Sequence, residues 1–226
     1  MRKKTNLIYA INHFNFIDKI VLKKRLEISD IINDIIKNIE IDEALDIGTT
    51  SDTLNISSNS VIRNIKNIKN FKCLSNQEVN SNFFYKKLKK SITDDFYEDE
   101  LSEFSSDLVI SNATIEHVGG FLKQKKMIKN IIKLTKKIFI ITTPNKFYPI
   151  ELHTKIPFIH WLPKLIYRRI LKFLGLSFYA QEENLNLLDV HQLQEMLNDQ
   201  KINYEIRFIK LMFFKSNIII IGRVKN

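Results

Sequence analysis

Short apolar runs that break off into small polar residues alternate along this chain with stretches of helical spacing. In the segment 6–40, Ile28, Ile31, Ile32, Ile35, Ile36 and Ile39 recur at three- and four-residue steps around Ser29-Asp30, which predicts a helix. Residues 45–47 predict a first strand. Val61, Ile62, Ile65 and Ile68 share one face of a predicted helix over 59–69. Further strands are predicted at 71–74, 83–88 and 108–110. Gly119-Gly120 then opens a helix bearing Leu122, Met127, Ile128, Ile131 and Ile132. The run Ile138-Phe139-Ile140-Ile141-Thr142 reads as a buried strand, followed by helices near 163–174 and 189–199 and strands near 202–209 and 217–223. Strands and helices in alternation, ending in two adjacent strands, predict an α/β fold. Its form is a doubly wound, Rossmann-like sheet of seven strands with a C-terminal antiparallel hairpin. Neither repeats nor a Pro/Gly linker divide the chain, so 1–226 is expected to be one domain. It would carry an N-terminal helical segment at 1–40 and a Pro-rich insertion at 144–188.

Composition adds limits to this picture. A length of 226 residues and a hydrophobic content of 44% suit one domain with a sizeable core. No apolar run approaches the ~20 residues that cross a bilayer. The basic start Met1-Arg2-Lys3-Lys4 is followed by Asn6, Asn12, His13, Asn15 and Asp18, which interrupt any signal-peptide core, so none is expected. The single cysteine, Cys73, excludes an internal disulfide and a cysteine-built zinc site. A cytosolic protein is therefore expected. The formal charge of +10 raises the question of nucleic acid, but the lysines are spread through an Asn- and Ile-rich chain. No basic block is interleaved with aromatics as a single-strand platform requires, so nucleic-acid binding is disfavoured. An anionic substrate or membrane surface fits the charge as well.

Two strand exits concentrate the candidate chemistry, because ligands of open α/β sheets bind beyond the carboxyl ends of the strands. The first is Glu43-Ala44-Leu45-Asp46-Ile47-Gly48-Thr49-Thr50. Gly48 permits a sharp turn and close backbone approach to a ligand, and it stands alone where a pyrophosphate-binding loop needs several glycines. The second is Asp107-Leu108-Val109-Ile110-Ser111-Asn112-Ala113-Thr114-Ile115-Glu116-His117-Val118. Its His117 is a candidate general base, having an ordinary pKa near neutrality. The alternative role for Glu116 and His117 is to shape the pocket through hydrogen bonds. All four prolines fall between Pro144 and Pro163, with the only tryptophan and two of the five histidines. Such a segment directly after a buried strand is expected to form a lid or binding loop. Within it, Glu151 and His153 are placed to meet a hydroxylated substrate. Glu151, His153 and His160 have poor spacing for metal ligands, and no metal is expected.

Both strand exits resemble signature motifs of class I S-adenosylmethionine-dependent methyltransferases, and Ile115-Glu116-His117-Val118 resembles the type 11 methyltransferase group. The segment from Thr142-Thr143-Pro144-Asn145 to His160-Trp161-Leu162-Pro163 resembles a subgroup associated with bacterial surface-polysaccharide or lipid-modification pathways. The likeness runs over 44–188 and includes Glu182-Glu183-Asn184-Leu185-Asn186-Leu187-Leu188. The resemblance implies S-adenosylmethionine as cofactor, its amino-acid end lined by Asp46, Gly48 and Thr49. The usual acid at the ribose is missing, leaving Ser75, Gln77 or Glu78. Asp94, Asp95 and Phe96 fall at the adenine position, and Ser111 and Asn112 beneath the cofactor. Glu116 and His117 would be catalytic, with Asn145, Glu151, His153 and Trp161 meeting the acceptor. That acceptor would be a small molecule, sugar or lipid-linked glycan receiving a methyl group on a hydroxyl or amine. Residues 161–174 read as a basic amphipathic helix that either covers the domain as a lid or lies on an anionic membrane. The competing functions are a non-catalytic binding module and a nicotinamide-dependent oxidoreductase or epimerase. The missing glycines, and the lack of a Tyr-x-x-x-Lys pair after the fourth strand, weigh against the last.

Overall fold

A computed structural model describes residues 16–52 and 57–224, with side chains from Lys19 onward. The part of the N-terminal segment before Phe16 lies outside the described residues. Helix α1 (Phe16–Ile36) leads into β1 (Glu43–Ile47), the short α2 (Ser60–Arg63), β2 (Asn70–Ser75) and β3 (Lys86–Lys89). Then follow α3 (Glu98–Phe104), β4 (Ser106–Asn112), a 3-10 turn (Ile115–His117), α4 (Phe121–Lys133) and β5 (Thr135–Pro144). A second 3-10 turn (Ile159–Trp161), α5 (Lys164–Phe173), α6 (Val190–Asn198), β6 (Asn203–Leu211) and β7 (Phe214–Arg223) complete the described chain.

The seven strands form one sheet in the order β3-β2-β1-β4-β5-β7-β6. The first five in that order run parallel, and β7 is antiparallel to both neighbours. Strands β1, β4 and β5 are hydrophobic on both faces because helices cover both. On one face Ile28 and Ile32 of α1 and Val61 and Ile62 of α2 pack on Ala44, Leu108, Ile110, Ile138 and Ile140. On the other, Met127, Ile128 and Ile131 of α4 and Leu193, Met196 and Leu197 of α6 pack on Leu45, Ile47, Val109, Phe139 and Ile141. Strand order reverses between β1 and β4, whose exits lie level: Ile47 pairs with Ser111. That reversal opens a crevice at the carboxyl edge, the usual ligand position in such sheets.

Two local expectations need correction. The helix over 59–69 stops at Arg63 although Ile65 is buried as its spacing required. Asparagines bound it on both sides: Asn59 before it and Asn67 beyond it take left-handed φ values of 54° and 63°, and at its end Asn64 Nδ2 donates to the Ser60 carbonyl at 2.7 Å. Asparagine side chains compete for backbone groups and tolerate that region. The third strand, expected over 83–88, forms at Lys86–Lys89, so Phe83 and Phe84 lie outside it. Those rings pack instead, Phe83 stacking on Phe71 at 4.7 Å, and the edge strand is the lysine-rich β3. Lysines on an edge discourage pairing with another chain.

Candidate functional site

At the β1–β4 crevice lies a cavity of about 270 Å³. Its walls include Arg25 of α1, Asp46 near the end of β1 and Gly48 just beyond it, Asn59, Asn112 at the end of β4 and Ala113 just beyond it, and His117 and His153. A second cavity, among Ile39, Ile138, Val224 and the basic side chains 136, 137 and 223, opens at the opposite edge. Its two lysines have partners already: Lys136 lies 3.6 Å from Glu43, and Lys137 3.4 Å from Asp107. The crevice is the site with convergent chemistry.

Gly48 turns the chain at φ 86°, and a Cβ there would sit 2.1 Å from the Thr114 Oγ1. Its N–H donates to the Leu74 carbonyl at 2.9 Å, and Thr114 Oγ1 donates to the Ile47 carbonyl at 3.2 Å. The loops after β1 and β4 thus touch, and no larger residue fits between them. Asp46 is buried, and burial raises its carboxyl pKa to about 6 even though Thr49 Oγ1 donates to it at 2.6 Å. Asn112 Oδ1 accepts from Thr142 Oγ1 at 2.6 Å, and the Ser111 hydroxyl is buried without a partner among the described residues. Arg25 donates to the Ser57 carbonyl at 2.5 Å, and burial lowers its pKa while Glu116 opposes that shift.

The 3-10 turn places Glu116 and His117 beside this pocket. Glu116 is fully buried, with Thr143 Oγ1 donating to its Oε2 at 3.0 Å and its Oε1 without a hydrogen bond among the described residues. His117 Nδ1 lies 2.6 Å from the Asn184 carbonyl, and its Nε2 lies 3.1 Å from the Nε2 of His153. His153 Nδ1 in turn lies 2.7 Å from Glu151 Oε1. Burial works to raise the Glu151 pKa, but hydrogen bonds from His153 and from the backbone N–H groups of 153 and 154 hold it near about 2. The His153 pKa is raised: burial opposes the charge, and Glu151 outweighs burial. The strap 184–186 holds the turn, as Asn186 N–H donates to the Glu116 carbonyl at 2.7 Å.

Of the residues singled out by sequence, Asp46, Gly48, Asn112, His117 and His153 share the cavity wall, and Thr49, Glu116 and Glu151 support them from behind. Others lie apart. Gln77 is exposed and accepts from Ser51 Oγ at 3.1 Å. Asp94 and Asp95 are exposed after β3, Asp95 pairing with Lys126 at 2.9 Å, and Phe96 packs against the core. Asn145 bonds the Lys215 carbonyl of the terminal hairpin, and Trp161 Nε1 donates to the Lys146 carbonyl, both outside the cavity wall. His160 is turned away from Glu151 and His153, its Nε2 facing the Tyr148 carbonyl. Arg25, Asn59 and Thr114 were not anticipated. Only Thr114 had a signal, being next to the Ile-Glu-His run and opposite the lone glycine.

No family model matches the sequence, and no curated protein matches it. Solved structures do resemble it. The magnesium protoporphyrin IX methyltransferase of Synechocystis PCC 6803 with bound SAH has 13% identity and a TM-score of 0.56, over 99% of this chain and 94% of its own. The plantazolicin methyltransferase BpumL in complex with SAH has 9% identity and a TM-score of 0.60, over 91% and 85%. N-methyltransferase NodS from Bradyrhizobium japonicum WM9 has 7% identity and a TM-score of 0.50, over 93% and 97%. Together with the strand order and the antiparallel β7, these matches show that the chain has the class I methyltransferase fold.

Proposed function

We propose that the protein is an S-adenosylmethionine-dependent methyltransferase that binds its cofactor in the β1–β4 crevice. The observation that carries this reading is the cavity at the β1–β4 strand-order reversal, where the tight Gly48 turn against Thr114 sets the loop beside Asp46, Asn112 and His117. The solved relatives with bound SAH support the choice of cofactor. The walls suit the amino-acid end of such a molecule: Arg25 offers a cation to its carboxylate, and Asp46 an anion to its ammonium. The cavity's 270 Å³ lies just under the ~300 Å³ of small ligand pockets, so the adenosine end extends along the edge toward Gln77 and Asp94 to Phe96. When bound, S-adenosylmethionine supplies an activated sulfonium methyl group. The residues' own task is to hold an acceptor hydroxyl or amine in line with it, and positioning alone can supply much of a rate.

The acceptor approaches from the side covered by the Pro-rich segment, which brings Glu151 and His153 to the cavity. A small molecule, sugar or lipid-linked glycan with a hydroxyl is the class this polar wall fits. A lipid-linked acceptor suits a further surface. Helix α5 buries Tyr167 and Leu171 on Ala180 but leaves Leu165 and Phe173 73% and 90% exposed. The β6–β7 tip exposes Met212 and Phe213, and it adjoins Trp161 through Asn145 and Lys146. With Arg169 and Lys172 exposed on the same helix, this surface fits an anionic membrane, so α5 serves as both cover and contact. Calorimetric titration with S-adenosylhomocysteine, with NAD as control, tests the function. Binding of the first alone is expected; binding of neither would leave a non-catalytic module as the reading.

A further inference from the structure

With both imidazoles neutral, three lone pairs converge beside the crevice. The Asn184 carbonyl can only accept, so neutral His117 carries its proton on Nδ1 and presents a lone pair at Nε2. The Glu151 carboxylate likewise fixes the proton of neutral His153 on Nδ1 and frees its Nε2. The third donor is Glu116 Oε1, fully buried and without a hydrogen-bond partner among the described residues. The two Nε2 atoms lie 3.1 Å apart, Glu116 Oε1 lies 3.9 Å from the Nε2 of His117, and all three fall within 4.8 Å of one another. Donors bound at ~2.05 Å to a tetrahedral ion would be separated by roughly 3.3 Å. Small side-chain shifts therefore bring all three onto one ion.

We propose that Glu116, His117 and His153 bind a divalent first-row transition ion, of which zinc is the representative. Two imidazoles and one carboxylate suit such an ion better than magnesium or calcium, which take oxygen ligands. The surroundings are those of a metal site: each ligating imidazole donates its other N–H to a fixed acceptor, one a carboxylate and one a backbone carbonyl. Thr143 Oγ1 holds the second oxygen of Glu116. Because His117 and His153 line the cavity, the remaining coordination positions open toward it, where an acceptor hydroxyl oxygen can bind and become more acidic. The ion's part in methyl transfer rests on the function proposed above; its binding does not.

The test is calorimetry of the full chain with zinc after dialysis against a chelator, together with the visible absorption of its cobalt(II) form. One ion per chain is expected, with d–d bands of low-symmetry coordination. His153→Ala and Glu116→Gln should each weaken binding by at least about tenfold and change the cobalt spectrum. Glu151→Gln, which loses only the support of His153, should weaken it by about 10–100-fold. Circular dichroism melting checks that the variants fold; if Glu116→Gln does not, His153→Ala, in the outer loop, decides. No stoichiometric binding by the wild type would overturn the site and leave the two imidazoles sharing a proton. Binding unaltered in the variants would overturn it too, by placing the ion elsewhere. Titrating metal-free protein with S-adenosylhomocysteine separates the two readings: nucleoside binding without zinc binding removes this site and spares the function.

Discussion

Gly48 has two independent reasons to be glycine, a φ of 86° and a Thr114 oxygen 2.1 Å from any Cβ. Gly48→Val is expected to fold less stably and to lose S-adenosylhomocysteine binding by at least about tenfold, or about 1.4 kcal/mol. Near-normal affinity by calorimetry would remove this turn from the cofactor site. Asp46 makes a pH prediction. Its pKa of about 6 in the folded protein exceeds the ~3.9 of an unfolded chain, so the folded state binds the proton more tightly. Without ligand, this carboxyl therefore lowers stability as pH rises from about 4 through about 6, by up to about 3 kcal/mol in all. Asp46→Asn should be more stable than wild type at pH 7, with the gap narrowing as pH falls to 4. Urea unfolding of both across that range is the check, and a gap independent of pH would show that Asp46 does not carry this cost.

Elements depend on single contacts of the same kind. Gly222 in β7 lies under the ring of fully buried Phe139 in β5, whose Cζ would be 2.1 Å from an added Cβ. Overpacking of this kind costs about 1–3 kcal/mol, so Gly222→Ala should lower the urea midpoint by that equivalent, and Phe139→Leu should restore part of it. Asp189 caps α6 by accepting from the Gln192 N–H at 3.0 Å, and Asp189→Ala should cost about 1 kcal/mol in the same assay. The sequence made most elements legible because β1, β4, β5 and β7 are apolar runs with both faces buried, a pattern that needs no tertiary knowledge. It misled over 59–69, where Ile65 kept the helical spacing while Asn59, Asn64 and Asn67 bent the backbone otherwise. Spacing reports which residues are buried; it does not report which backbone reaches that burial.

For the whole molecule, the strand exits were readable and their assembly was not. Glu116-His117 and Glu151-x-His153 stand out in one dimension, but their meeting through a 3.1 Å contact depends on how the Pro-rich segment folds back. Arg25 reaches the crevice from α1, a helix with no motif to announce it. The proposed membrane contact belongs at this scale too. The net charge of +10 and the exposed Phe173 and Phe213 predict cosedimentation with phosphatidylserine vesicles that falls with added salt. Phe173→Asp combined with Phe213→Asp should abolish it, while retained binding would place the contact elsewhere.

The insertion of β7 between β5 and β6 governs how this sheet can be made. Every parallel pair joins segments earlier in the chain, yet the free edge of β5, carrying Phe139, Ile140 and Ile141, is covered only by 214–223. During synthesis the growing chain would carry an apolar, unpaired strand edge until the segment 145–223 had emerged and folded back. Such an edge is a template for intermolecular pairing. Nascent chains stalled before β7 should thus be the species that chaperones hold, and slowing synthesis between β5 and β7 would favour aggregation over assembly.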